Sequence, residues 1–189
     1  RNRSHVMAVS KVSTMMPRKN EWLKTFVHTW MRMKNRLLGG EAGLQISVNS
    51  TDETERSKMF RGNQSTLEEI ARIMEGVIPN GRKITLNFAL GEWDINGQTL
   101  LKYFNPDWYL CKLTPLHKTR AVNSKSMMPA GDWTEYTPYA DAEASLRAAG
   151  YDVIVFIASR EEDESKITCG NAILAETEPS NDKLTDSRP

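Results

Sequence analysis

The sequence predicts an α/β protein in which parallel strands alternate with helices, and three observations support this prediction. Segments in which every second residue is apolar alternate with segments in which apolar residues recur every three or four positions. Two of the predicted strands carry one polar face. The chain has 189 residues, of which 39% are hydrophobic and 26% charged, as expected for a single globular domain.

Five segments are predicted to be strands. The clearest are 44–49 and 84–90, where apolar and polar residues alternate strictly. Segments 6–13 and 108–116 have a weaker form of the same pattern. Segment 151–158 is apolar on both faces except for one aspartate, which is typical of a strand that is buried on both sides.

The first predicted helix covers residues 19–38. Apolar residues recur in it at three- and four-residue spacing, which is typical of a helix that buries one face. These residues are Trp22, Phe26, Trp30, Met33 and Leu37. The pair Gly39-Gly40 is a natural stop for this helix.

Three further helices are predicted at 65–78, 95–104 and 138–149. Ser65 and Glu68 have the spacing of a capping box at the start of the first of these. The predicted order is therefore β-α-β-α-β-α-β-loop-α-β, which indicates a parallel sheet.

The polar strand faces favour a barrel over a flat sheet. Gln45, Ser47 and Asn49 share one face of their strand, and Thr85 and Asn87 repeat the pattern in the next. A doubly wound sheet is covered by helices on both sides and favours apolar residues on both. Polar inward faces suit a full or partial barrel with a hydrated or ligand-binding interior. In such barrels the chemistry lies at the C-terminal ends of the strands.

Composition excludes several classes of protein. The net charge of +1 does not indicate a nucleic acid or a membrane as partner, and no apolar run approaches the roughly 20 residues of a membrane span. Two cysteines, Cys111 and Cys169, cannot complete a four-ligand metal site, and the three histidines show no ligand spacing. We therefore expect no metal ligands in this chain, no membrane association and a cytoplasmic location.

Four short motifs occur in order along the chain, and three of them close predicted strands. They are Val12-Ser13-Thr14, Gln45-Ile46-Ser47-Val48-Asn49, Lys112-Leu113-Thr114-Pro115-Leu116-His117 and Cys169-Gly170-Asn171. Their order and spacing resemble the C-terminal half of radical S-adenosylmethionine (SAM) enzymes. The closest resemblance is to the radical SAM adenine methyltransferases that act on ribosomal and transfer RNA, and it covers about residues 6 to 174.

This resemblance implies a partial six-stranded β/α barrel that lacks its first two strands in this chain. Residues 1–175 would form the C-terminal part of the barrel, and the polar residues 176–189 are expected to be a disordered tail. SAM is the implied cofactor. A [4Fe-4S] cluster would be bound only through a CxxxCxxC segment that is missing here and would lie upstream.

The resemblance also implies roles for individual residues. The SAM-binding residues would be Ser13, Ser47, Val48, Asn49 and His117. The family usually has asparagine at the position of His117, and Cys-Gly-Gln where this chain has Cys169-Gly170-Asn171. Cys169 is the predicted catalytic residue, because the matching cysteine accepts a methyl group from SAM and passes it to the RNA base. Cys111 is predicted to be an apolar filler within a strand.

RNA is one expected partner, because basic residues of helix 19–36 and basic and aromatic residues of loop 118–137 suit phosphate contacts and base stacking. The helix residues are Lys19, Lys24, Arg32, Lys34 and Arg36. A missing upstream half, or self-association through the free edge of strand 6–13, is a second expectation. The alternative is a non-catalytic, cluster-less α/β domain that binds a nucleotide-like ligand or a partner chain.

Overall fold

The computed structural model describes residues 9–115 and 136–157. The strands are β1 (Lys11–Thr14), β2 (Gly43–Ser47), β3 (Ile84–Leu90), β4 (Tyr109–Pro115) and β5 (Asp152–Val155). The α-helices are α1 (Leu23–Arg36), α2 (Glu53–Phe60), α3 (Leu67–Ile73), α4 (Gly97–Leu101) and α5 (Ala140–Ala148). A turn of 3₁₀-helix, Thr137–Tyr139, leads into α5.

The five strands form one parallel sheet in the order β1-β2-β3-β4-β5. This confirms the predicted α/β class and the predicted parallel sheet. The register places Ser13 beside Gln45, and Gln45 beside Thr85. Sequential parallel pairing requires every crossover to be made by a helical connection, which explains the alternation seen in the sequence.

The hydrophobic core lies on one side of this sheet. Apolar residues of β2 and β3 such as Ile46 and Leu86 are fully buried there. They belong to one cluster with helix residues, among them Val27 of α1, Ile70 of α3 and Leu146 of α5. The helices therefore cover one face of the sheet. The strand residues that alternate with the buried apolar ones point to the opposite, polar face.

Helix α1 does not use the predicted apolar stripe to pack on the sheet. Its buried residues are Leu23, Val27, Met31 and Lys34. The predicted stripe is instead largely exposed, with Trp22 at 69% and Leu37 at 74%. At 100° per residue, the stripe lies roughly a quarter turn around the helix from the buried face. The helix thus has two apolar faces, of which only one packs against the sheet.

Burial of Lys34 also overturns its predicted place on a basic outer surface. Its side chain is fully buried, and its ammonium group donates a hydrogen bond to the carbonyl oxygen of Asn80. Burial lowers the pKa of Lys34, and the nearby Glu41 carboxylate partly opposes this shift. Gly40 lies beside the same loop at φ 82°, where a Cβ atom would come within 2.6 Å of the Asn80 carbonyl oxygen.

Three other local predictions need correction. The capping box of α3 is formed by Thr66 and Glu69, one residue later than predicted. Helix α2 was not predicted, because its only strong sequence signal is an N-cap, Asp52, on a segment with almost no apolar periodicity. β5 is not buried on both faces, since Ile154 is 49% exposed.

Candidate functional site

The candidate site is the face of the sheet opposite the helices, called here the polar face. Its side chains come from alternate residues of four neighbouring strands: Lys11 and Ser13, Gln45 and Ser47, Thr85 and Asn87, and Lys112 and Thr114. Most are half-buried, whereas Lys11 and Ser13 on the edge strand are exposed and Asn87 is buried. Hydrogen-bonding groups line the interior side of a sheet whose other side is sealed by apolar packing.

Ser13 and Ser47, two of the predicted SAM-binding residues, both lie on the polar face. Ser13 of β1 lies beside Gln45 of β2. Ser47 follows Gln45 by two residues, at the C-terminal end of β2. Ser47 pairs with Asn87 in β3. The Ser47 hydroxyl makes no hydrogen bond within the described part of the chain, so it is available to a ligand.

Val48 lies on the opposite side of the sheet. Its side chain is fully buried in the core. Its amide donates to the carbonyl oxygen of Asn87 at 2.8 Å, and its own carbonyl oxygen accepts from Arg56 at 2.6 Å. Both backbone groups of Val48 are therefore already hydrogen-bonded within the protein. Its contact with SAM stays a prediction, and these hydrogen bonds do not support it.

Asn49 lies two residues beyond the end of β2, so the strand is shorter than the predicted 44–49, and the Asn49 backbone is in the left-handed region at φ 66°. Its side-chain oxygen accepts a hydrogen bond from the amide of Ala89 at 3.0 Å, which ties the end of β2 to β3. The Asn49 amide nitrogen and the second lone pair of its oxygen are the side-chain groups left for the predicted SAM contact.

The remaining predicted site residues, His117 and Cys169, lie outside the described residues. Cys111 is described and fully buried in β4, as its predicted filler role requires. Burial raises the pKa of the Cys111 thiol to about 12, so it is neutral at physiological pH. Only a thiolate is an effective nucleophile, so Cys111 is unsuited to covalent chemistry.

Two buried side-chain oxygens lack hydrogen-bond partners in the described structure, Oε1 of Gln64 and Oδ1 of Asn87. Gln64 is 7% exposed and donates from Nε2 to the carbonyl oxygen of Ser47 at 2.6 Å. Asn87 is 9% exposed. Sequence reasoning placed Asn87 on the polar face without assigning it a role, and it gave no role to Gln64, which lies on a loop. Gln64 is hydrogen-bonded to Ser47, and Asn87 is the register partner of Ser47, so both unpaired oxygens belong to neighbours of Ser47.

The polar face carries positive charge. Lys112 is beside Asn87 in the register, and its ammonium group lies 5.3 Å from the centre of the Phe156 ring. Lys11 donates to Gln45 Oε1 at 2.7 Å. Burial lowers the pKa of Lys11, and the charges of Lys112 and Arg82 lower it further. This electrostatic surface suits an anionic or neutral group better than a cationic one.

A hydrogen-bonded loop fixes the C-terminal edge of the sheet next to this face. The Ser50 hydroxyl donates to Glu55 Oε2 at 2.5 Å, and the same carboxylate oxygen accepts from the Asp94 amide at 2.9 Å. Thr51 donates to the Asp94 carboxylate at 2.9 Å. These carboxylates act within the loop, and among the described residues no group of three or more His, Cys, Asp or Glu side chains is arranged to bind a metal ion.

Structural comparison finds a solved relative of this architecture. The fold matches the crystal structure of a radical SAM methyltransferase from Sphaerobacter thermophilus with a TM-score of 0.57 and 18% sequence identity. The chain shares the fold of part of that protein. The match covers 85% of this chain but only 43% of the methyltransferase, so this chain spans less than half of that structure.

Sequence comparisons give no corresponding match. No family model matches the chain, and no curated protein does. Among the described residues, no helix is long and apolar enough to cross a membrane.

Proposed function

We propose that this chain is the SAM-binding part of a radical SAM methyltransferase barrel. The observation that carries this proposal is the polar face, where Ser47 at the C-terminal end of β2 is paired with Asn87 of β3, whose side-chain oxygen has no partner in the described structure. Active sites of β/α barrels lie at these strand ends. The fold shared with a radical SAM methyltransferase supports the same conclusion.

The residues of the polar face fit SAM in chemical type. SAM offers ribose hydroxyls and an adenine amine as donors, and the buried Asn87 oxygen lacks a donor in the described structure. SAM also carries a carboxylate, which can pair with the ammonium groups of Lys11 and Lys112, whereas its sulfonium and ammonium groups would have to lie away from these two lysines. Ser47 and Ser13 are the predicted residues that would hold it. When bound, SAM supplies an activated methyl group.

The chain's residues do not fit an iron–sulfur cluster. Such clusters are held by several cysteine thiolates, and the chain has two cysteines. One of them, Cys111, is buried in the core as a neutral thiol. The proposal therefore assigns the cluster to a different part of the complete enzyme.

Further β/α units would join the chain at its β1 edge. β1 is an edge strand, and the exposed stripe of α1 forms a groove of about 390 Å³. The other flank of α1 faces α3 and β3. There His28 is hydrogen-bonded to the carbonyl oxygen of Ile73, and Asn35 donates a hydrogen bond to the carbonyl oxygen of Ile78. The stripe is therefore on the β1 side of the helix. A preceding unit would pair its strand with β1 and cover the stripe with its helix.

In the complete enzyme we propose RNA as the substrate, an adenine as the methylated base and Cys169 as the residue that accepts the methyl group. The exposed basic residues of α1, Lys24, Arg32 and Arg36, provide phosphate-binding charges, whereas Lys34 does not. The support for this finer proposal is the sequence resemblance of the four motifs.

Ligand binding tests the proposed function directly. Isothermal titration of the full chain with S-adenosylhomocysteine should detect binding, and Ser47→Ala should weaken it by about fivefold, the value of one neutral hydrogen bond. Ser57→Ala, on the exposed surface of α2, is the matched control and should leave affinity unchanged. If the unmodified chain shows no binding at millimolar ligand, the proposed function is wrong.

Methyl transfer tests the finer proposal. In the complete enzyme, incubation with SAM carrying a labelled methyl group should label Cys169, as read by peptide mass spectrometry, and Cys169→Ala should abolish both this label and RNA methylation. Normal RNA methylation by Cys169→Ala would exclude the relay but leave SAM binding by this chain intact.

A further inference from the structure

Asn87 combines burial with an unsatisfied acceptor at the middle of the polar face. It lies in β3 between Ser47 of β2 and Lys112 of β4. The residue is 9% exposed, and its Oδ1 has no partner in the described structure. A buried acceptor without a donor costs about 1–3 kcal/mol of folding stability. A buried acceptor of this kind needs a physical reason, and a donor supplied by a bound ligand is one such reason.

Hydrogen bonding on the other side fixes the orientation of the Asn87 amide. The Thr114 hydroxyl donates its proton to the carbonyl oxygen of Phe88 at 3.2 Å. It therefore acts as an acceptor towards Asn87, whose Nδ2 lies 3.4 Å away. Flipping the amide would bring two acceptors together. Nδ2 thus faces Thr114 of β4, which leaves Oδ1 as the atom of the amide without a partner in the described structure.

The positive charge of Lys112 affects which kind of donor can make a hydrogen bond to Oδ1. Lys112 shares the polar face and is adjacent to Asn87 in the register. A cationic donor such as an ammonium group would be repelled there, whereas a neutral hydroxyl would not. Ser47 is the register partner of Asn87 in the neighbouring strand, and adjacent strands are about 5 Å apart, so one ligand with two adjacent hydroxyls could reach both residues.

We infer that Asn87 is a ligand-binding residue whose side-chain oxygen accepts a hydrogen bond from a ribose hydroxyl of the bound nucleoside, next to Ser47. This inference rests on the proposed function, because it takes SAM or S-adenosylhomocysteine as the ligand. It adds a specific determinant, recognition of the ribose by an asparagine of β3.

The test compares S-adenosylhomocysteine with its 2′-deoxy and 3′-deoxy analogues. The unmodified chain should bind at least one deoxy analogue about tenfold more weakly, since a buried acceptor is then left unpaired. Asn87→Leu should bind S-adenosylhomocysteine about tenfold more weakly and lose this discrimination. Asn87→Asp, which keeps an acceptor, should retain it. Gln98→Leu, which removes an exposed amide from α4, is the control and should behave like the unmodified chain.

Thermal unfolding without ligand supplies an independent readout. Asn87→Leu should unfold at the same temperature as the unmodified chain or higher, because it removes a buried unpaired oxygen. A marked loss of stability in Asn87→Leu would show that Asn87 is structural and overturn the inference. Full discrimination in Asn87→Leu would also overturn it while leaving the proposed function standing. Failure of the unmodified chain to bind would overturn both.

Discussion

Arg56 of α2 donates a hydrogen bond from Nη1 to the carbonyl oxygen of Val48, 2.6 Å away, immediately after β2. Its Nη2 donates to the carbonyl oxygen of Ser65 at 2.8 Å. The side chain is 1% exposed, and burial lowers the Arg56 pKa, while Glu53 partly opposes the shift. One buried guanidinium thus ties the end of β2, next to the polar face, to the start of α3.

Replacing Arg56 should strongly destabilise the chain. Arg56→Met keeps the apolar volume but leaves two buried carbonyl oxygens without donors, so we expect the free energy of unfolding to fall by about 3 kcal/mol. Urea denaturation followed by circular dichroism measures this. Arg72→Met is the control, because its ion pair with Glu68 is exposed and should contribute little to stability. Equal effects of the two substitutions would contradict the structural role of Arg56.

The two cysteines should differ sharply in reactivity. Cys111 is buried with a raised pKa, so a thiol reagent should modify it only after unfolding. Cys169, the predicted nucleophile, should react in the folded chain. Mass spectrometry of iodoacetamide-treated protein, with and without denaturant, identifies the modified residue. Rapid modification of Cys111 in the folded chain would show that the core packing around β4 is wrong.

The Cys111 thiol should also make stability depend on alkaline pH. Its pKa is raised in the folded state to about 12, so its contribution is present below the unfolded pKa and is lost as pH rises towards 12. Cys111→Ala should therefore cost about 1 kcal/mol near pH 7, from the lost packing of a small side chain, and progressively less at high pH. A cost that does not change with pH, measured by urea denaturation at several pH values, would contradict burial of the neutral thiol.

The capping box of α3 should make stability depend on acidic pH. The Thr66 backbone amide and then Arg18 lower the Glu69 pKa, so Glu69 stabilises the fold above its unfolded pKa and less as pH falls. Glu69→Gln should cost about 0.5–1 kcal/mol at pH 7 and almost nothing near pH 3. Glu68→Gln, at the neighbouring exposed position, is the control. Thermal melts across this pH range distinguish the two.

The exposed stripe of α1 should drive association of the isolated chain. Phe26 is 46% exposed within it, so Phe26→Glu should leave the unfolding temperature nearly unchanged while reducing self-association in sedimentation velocity. Lys24→Glu, an exposed change on the same helix, is the matched control. Discrete dimers of the unmodified chain that Phe26→Glu abolishes would identify a second copy as the occupant of this groove. If the unmodified chain stays monomeric at high concentration, the prediction that the exposed stripe drives association is wrong.

The alternation of apolar and polar residues was sufficient to predict the parallel sheet and its polar face. Period-two alternation in 44–49 and 84–90 reports which residues share a face, whatever the surroundings. It therefore placed Ser47 and Asn87 on the same side of the sheet, where the structure has them. The residues between the strands were sufficient to predict α1, α3, α4 and α5, because these segments carry apolar periodicity, capping residues or helix-ending residues.

Only the tertiary structure decided which face of α1 is buried, where Lys34 lies and what Arg56 does. The stripe from Trp22 to Leu37 and the face with Leu23 and Val27 are both apolar, and periodicity cannot choose between them. The choice depends on which flank meets α3 and the sheet. The orientation of the Asn87 amide likewise depends on Thr114, which lies near Asn87 only after β3 and β4 pair. Hydrogen-bond satisfaction is a property of neighbours in space, and the order of residues along the chain does not specify it.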